Sequence, residues 1–282
     1  MSNIICIYHN NCADGFGAAW VVRKAFLEHK LELPEFYPGE YNKPPPDVTG
    51  KRVIMVDFSY KRSALLKMAE QAEYMIIYDH HATAKDDLVD LPDNVETVFD
   101  MGRSGAMITW NEQFLDQRPP PLLCHIQDRD LWQWELPNTK EIMATVFSYP
   151  YGFSAWDMLM KVPVDTLAME GASLVRKQDK DICEILSVAT RNDIVIDGHK
   201  VPVVNIPHMF GSDACHILCE GKPFAAYYWI DSEGVYNFGM RSDKNGVDVR
   251  KIAEKFGGGG HKHAAGFRST TFGFVRMENQ DG

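Results

Sequence analysis

The sequence predicts an α/β protein of two domains: an N-terminal parallel-sheet domain with a helical linker, residues 1–190, and a smaller α/β C-terminal domain, residues 191–282. Three observations carry this. Short apolar runs recur between helical stretches in the first half, and each ends in a polar cluster, as in parallel sheets that gather ligands beyond their C-terminal edge. A long, mostly helical stretch, 165–191, is followed by a fresh hairpin around Asp197-Gly198. Finally, 282 residues, 45% of them hydrophobic, can furnish one large core or two ordinary ones.

Taken in order, residues 3–8 form an apolar run that stops at the polar cluster from His9 to Asp14, and residues 17–26 have helical composition. The pattern returns at 53–57 before a helix at 61–71, and at 74–78 before Asp79-His80-His81. A further helix is predicted at 106–114. The proline runs 44–46 and 119–121 are predicted to be surface connections or turns. In the second domain the hairpin 194–205 leads to strands at 224–230 and 236–241, a helix at 247–256 and a glycine loop at 257–260.

The formal net charge of -10 and a pI near 5.5 argue against broad attachment to duplex nucleic acid or anionic membrane. Six scattered cysteines, without zinc-ribbon spacing, read as reduced thiols. No apolar stretch reaches membrane-spanning length and no basic-then-apolar leader opens the chain, so a cytoplasmic location is expected.

The strongest chemical signal is the set of groups at three predicted strand ends: His9 and Asp14, then Asp57, then Asp79, His80 and His81. Mixed carboxylate and imidazole donors suit Mn²⁺, Fe²⁺, Co²⁺ or Zn²⁺, with Mn²⁺ first, whereas an oxygen-only cage would favour Mg²⁺ or Ca²⁺. The alternative is that Asp14 and Asp57 merely cap the helices that follow them.

Tyr78-Asp79-His80-His81 after an apolar strand resembles the motif that names the DHH phosphoesterase superfamily. The segment from Val247 to Phe267, with its four glycines followed by His261-Lys262-His263, is similar to the signature of the DHH-associated C-terminal domain. The resemblance spans nearly the whole chain and points toward oligoribonuclease-like, 3′-phosphoadenosine 5′-phosphate phosphatase-like and exopolyphosphatase-related members. It implies that His9 and Asp57 hold one cation, that Asp14, Asp57, His80 and Asp128 hold another, and that Asp57 bridges them. His81 would face the scissile phosphate and Asp79 would orient the imidazoles. The first motif here offers one carboxylate where the family commonly has two, and Asn11 or Cys12 is the available substitute. In the fourth motif, Asp128 is preferred from its spacing to Trp132, with Asp130 as the alternative.

Gly258, Gly259 and Gly260 can bring backbone amides close to a phosphate, with His261 adding a side-chain donor. The resemblance makes Arg241 a phosphate contact. Arg103 and Ser104, at the start of the helix at 106–114, form a candidate anion site, though Ser104 serves equally well as an N-cap. His125 reads as structural, and the aromatic residues between Trp132 and Trp156 read chiefly as core, with base stacking second. The expected function is a manganese-dependent phosphodiesterase or phosphatase that hydrolyses dinucleotides, short oligonucleotides or 3′-phosphoadenosine 5′-phosphate with metal-activated water. One or two Mn²⁺ ions are expected, with Co²⁺ or Mg²⁺ as substitutes. The expected partners are a short nucleotide substrate and, as an allowance, a second copy in a homodimer, but neither duplex DNA nor membrane. Polyphosphate hydrolysis and a non-catalytic nucleotide sensor are the rival readings.

Overall fold

The computed structural model describes residues 2–41 and 43–272 and the backbone of 276–277. It divides into two compact units, Met1–Val175 and Arg176–Gly282. The first contains β1 (Ile4–His9), α1 (Ala13–Glu28), β2 (Glu35–Gly39), β3 (Arg52–Val56), α2 (Arg62–Gln71), β4 (Tyr74–Asp79), α3 (Ala82–Asp87), β5 (Val95–Phe99), α4 (Gly105–Gln113), α5 (Pro121–Asp130), α6 (Thr139–Ser148) and α7 (Phe153–Leu159). Helix α8 (Val164–Ala189) runs through the division.

The first sheet has the order β2-β1-β3-β4-β5, and every neighbouring pair is parallel, as the sequence predicts. Side chains alternate between its faces. Ile5, Ile7, Val53, Met55, Met75 and Ile77 enter one core with Leu65 and Met68 of α2, while Cys6 and Tyr78 enter the other with Trp20, Ile108 and Trp156. Burial on both faces explains why the strands read as continuous apolar runs.

Several boundaries differ from the sequence prediction. The first helix starts at Ala13, which places Asp14 in its first turn. The run 119–121 is not wholly a connection: Pro121 opens α5, where its missing N–H would have had no intrahelical partner. The predicted domain division at 190/191 lies beyond the observed one. Ile182 is fully buried in a cluster with Val204 and Cys215, and Ile185, Leu186 and Ala189 pack on it, so the second half of α8 belongs to the second core.

The second unit continues with β6 (Thr190–Ile196), β7 (His199–Asn205), α9 (His208–Leu218), β8 (Ala225–Ile230), β9 (Tyr236–Arg241), α10 (Val249–Lys255), β10 (Gly259–His261), β11 (Ala264–Ser269) and β12 (Arg276–Met277). Its sheet has the order β10-β11-β9-β8-β7-β6-β12 and is antiparallel except at β7–β8. The glycine run is only partly a loop. Gly257 turns the chain at φ +76°, but Gly259–His261 form a strand against β11. A Cβ at Gly258 would stand 2.1 Å from the Gly266 carbonyl oxygen, so the run is glycine because two backbones meet there.

Candidate metal centre

The register pairs Tyr8 with Val56 and Val56 with Tyr78, so the residues that follow, His9, Asp57 and Asp79, emerge together at one sheet edge. Asp57 leaves β3 with φ +52°, a left-handed conformation uncommon outside glycine, and its N–H donates to the Tyr78 carbonyl at 2.8 Å. Its carboxylate lies between two imidazoles. Oδ1 is 3.1 Å from His80 Nε2, and Oδ2 is 3.4 Å from His9 Nδ1. The same His80 nitrogen is 3.5 Å from Asp130 Oδ2 and 3.8 Å from Asp14 Oδ2.

Asp14 is fixed from far along the chain, since its carboxylate accepts the amides of Gly105 at 2.5 Å and Ala106 at 3.0 Å. The anion at the start of α4 is therefore a side chain of the protein itself. Of the predicted anion site, Ser104 is fully buried and serves as the N-cap, its hydroxyl accepting from the Met107 amide, while the partly exposed Arg103 pairs with Asp100 at 2.6 Å. Gly105 is required at this contact. A Cβ there would come within 2.4 Å of the Asp57 Cβ. The small residues at 104–106 were visible in the sequence, but their use in seating Asp14 and clearing room for Asp57 was not.

Asp79 accepts from the Ser59 hydroxyl at 2.5 Å and from the His80 and His81 amides at 2.7 and 3.2 Å, and it lies 2.6 Å from His81 Nδ1. It thus orients the His81 ring and holds His80 through the backbone. The preference for Asp128 is corrected. Its carboxylate accepts from the amides of Glu135 and Leu136 at 2.8 and 3.3 Å and from the Thr139 hydroxyl at 2.6 Å, anchoring the segment after α5. His125 Nδ1 lies 2.8 Å from the same Thr139 oxygen and joins that structural network. Asp130 is the fourth-motif carboxylate that reaches the edge.

Three neighbouring groups each have donor atoms within 4.8 Å of one another: His9, Cys12 and Asp57; Asp14, His80 and Asp130; and Asp57, Asp79 and His81. Cys12, rather than Asn11, stands where the first motif lacks a carboxylate. Burial and the carboxylates of Asp57 and Asp130 raise Asp14 well above the usual carboxylate range. Burial also opposes ionisation of Asp57, but contacts from His80 and His9 outweigh it and hold that group well below the range. Burial likewise works against a charge on His80, yet Asp57, Asp130 and Asp14 prevail and push it up to about 10. His9 Nδ1 and Asp57 Oδ2 are buried and meet no hydrogen-bond geometry with any described residue. Unsatisfied ligand atoms of this kind, among crowded carboxylates, fit a divalent cation.

The second unit holds the remaining predicted residues. Arg241 ends β9, where its Nε donates to the Ser212 hydroxyl at 3.2 Å and its Nη1 to the Met240 carbonyl at 2.8 Å. Gly258 follows the turn at Gly257, and Gly259, Gly260 and His261 lie on β10.

Residues 218–278 match the DHHA1 domain family. Across more of the chain, Uncharacterized protein R106 of Acanthamoeba polyphaga mimivirus is 30% identical over 93% of this chain, which spans 66% of that protein's length. An exopolyphosphatase-related protein from Bacteroides fragilis has a similar fold, with a TM-score of 0.54 and 13% identity over 95% of this chain and 87% of that one. RecJ from Thermus thermophilus in complex with Mn²⁺ matches with a TM-score of 0.50 and 15% identity over 94% of this chain and 49% of that one. The chain thus carries a DHHA1 domain in its second unit, and its fold is that of the exopolyphosphatase-related protein and of RecJ, with Asp79-His80-His81 at the edge of the parallel sheet of the first unit.

Proposed function

We propose that the chain is a manganese-dependent hydrolase of short phosphate-bearing nucleotides, namely dinucleotides, short oligonucleotides or 3′-phosphoadenosine 5′-phosphate. One observation carries the reading: Asp57, between His9 and His80, shares His80 with Asp14 and Asp130 at a single sheet edge. His9, Cys12, Asp14, Asp57, His80 and Asp130 would hold one or two divalent cations, and the Mn²⁺ carried by the similarly folded Thermus RecJ favours manganese. Such a cation activates water near neutral pH and offsets charge on a phosphoryl oxygen.

The chain's own groups supply the rest. Burial alone would lower His81, but Asp79 at its Nδ1 raises it overall, which favours the protonated ring whose Nε2 would donate to a phosphate or leaving oxygen. Ser59 and two backbone amides keep Asp79 in place. The net charge of -10 favours a short substrate over a long duplex.

The test incubates the full chain and Mn²⁺ with pGpG, pApA, 3′-phosphoadenosine 5′-phosphate and polyphosphate. Turnover of one of the nucleotides, lost in His80→Ala, is expected. Turnover of polyphosphate alone would replace the substrate class. Tight nucleotide binding without turnover would make the chain a sensor, a reading favoured by a first motif whose single carboxylate already accepts two amides.

A further inference from the structure

We propose that His216, Cys219 and Asp243 form a second cation site, within the C-terminal unit, that takes a thiophilic divalent ion such as Zn²⁺. His216 lies in the last turn of α9 and Cys219 caps it, three residues on, so both lie on one face of the helix end. Asp243 follows β9, and the donor atoms of the three residues are within 4.8 Å of one another. Cys219 Sγ is 3.3 Å from Asp243 Oδ1 and also 3.3 Å from the His216 carbonyl oxygen. Tetrahedral zinc, with bonds of about 2.0–2.3 Å to nitrogen, oxygen and sulfur, sets its ligand atoms roughly 3.3–3.8 Å apart, close to the Cys219–Asp243 separation.

Charge and access agree with the geometry. A thiolate and a carboxylate beside a neutral imidazole balance a divalent ion, and a helix C-terminus favours positive charge. Cys215, one turn earlier on α9, shows the contrast: it is buried with Ile182, Val204 and Ala214 and belongs to no such cluster of donors among the described residues. Cys219 is also fully buried, but His216 is exposed, and beside Asp243 lies an open cavity of about 500 Å³ lined in part by Lys222, Asn245 and Gly246. The site thus has three protein ligands and space for water as a fourth.

The experiment strips the full chain with a chelator and titrates it with Co²⁺, then with Zn²⁺ in competition. Thiolate-to-cobalt absorption in the near ultraviolet is the readout. Because Cys12 lies in the first centre, Cys219→Ser is introduced in a Cys12→Ser background and compared with Cys12→Ser alone. The absorption should survive in Cys12→Ser and vanish when Cys219→Ser is added. His216→Ala, at an exposed position that leaves the core intact, should weaken Zn²⁺ binding at this site by at least about tenfold. Absence of the band from the unaltered chain, its persistence when Cys219→Ser is added, or unchanged affinity in His216→Ala would overturn the proposal.

Discussion

Asp57 and Asp128 are buried almost equally, at 1% and 3% exposure, yet they are supported in opposite ways. Asp128 meets two amides and a hydroxyl, each supplying a proton, so its charge is satisfied within the fold. Asp57 meets two imidazoles while Asp14 and Asp130 crowd the same His80 nitrogen, so acceptors outnumber protons. Burial of a carboxylate therefore does not mark an ion site. The balance of donors around it does.

Substitutions can break this contrast. The largest effect is expected from Asp57→Asn, which keeps the shape and removes the shared charge. A cation's stabilisation of phosphoryl charge is worth several kcal/mol, so Mn²⁺-dependent turnover should fall by roughly a thousandfold, measured as initial rates at saturating Mn²⁺. Unchanged rates would remove Asp57 from the centre. Asp128→Ala should act on folding instead, costing about 3 kcal/mol in urea denaturation because two amides and a hydroxyl lose their acceptor, with cation affinity little altered. A large loss of affinity with intact stability would reverse the assignment of the two aspartates in α5.

Asp130→Asn sharpens the same comparison. Cation affinity should drop by roughly tenfold to a hundredfold, read by calorimetric titration, while the metal-free chain keeps its stability because one of several like charges has gone. Proton release gives the smallest signal. In the metal-free chain His80 is raised to about 10, against about 6.5 when unfolded. Its contribution to stability is therefore complete below about pH 6.5 and lost as pH rises through about 10. A cation must displace that proton. Mn²⁺ affinity should rise with pH, and titrations in buffers of different ionisation enthalpy should reveal a proton released near neutrality.

Much of this was legible in the sequence for a physical reason. Strands buried on both faces leave uninterrupted apolar runs, and their ends mark the sheet edge, which is why His9, Asp57 and His80 stand out together. Two strands carry no such mark. In β2 the segment Glu35–Gly39 contains Pro38, a residue tolerated only at an edge, and β5 exposes Glu96 and Thr97 within five residues. The choice between Asp128 and Asp130 depends on helix rotation. Residues two apart on a helix point about 200° apart, and buried Leu122 and Ile126 lead by steps of four to Asp130, a signal the spacing to Trp132 obscures. The left-handed turn at Asp57 has no such signature.

The groups at the sheet edge range from His9 near the start of the chain to Asp130 at the end of α5, and the clamp on Asp14 comes from Gly105 and Ala106. A ribosome making this protein must therefore release the chain through α5 before all the groups of the proposed centre can meet. Until then His80 lacks the Asp130 carboxylate, and before α4 emerges Asp14 lacks the two amides that seat it, so a chain truncated before α5 holds only part of the cluster.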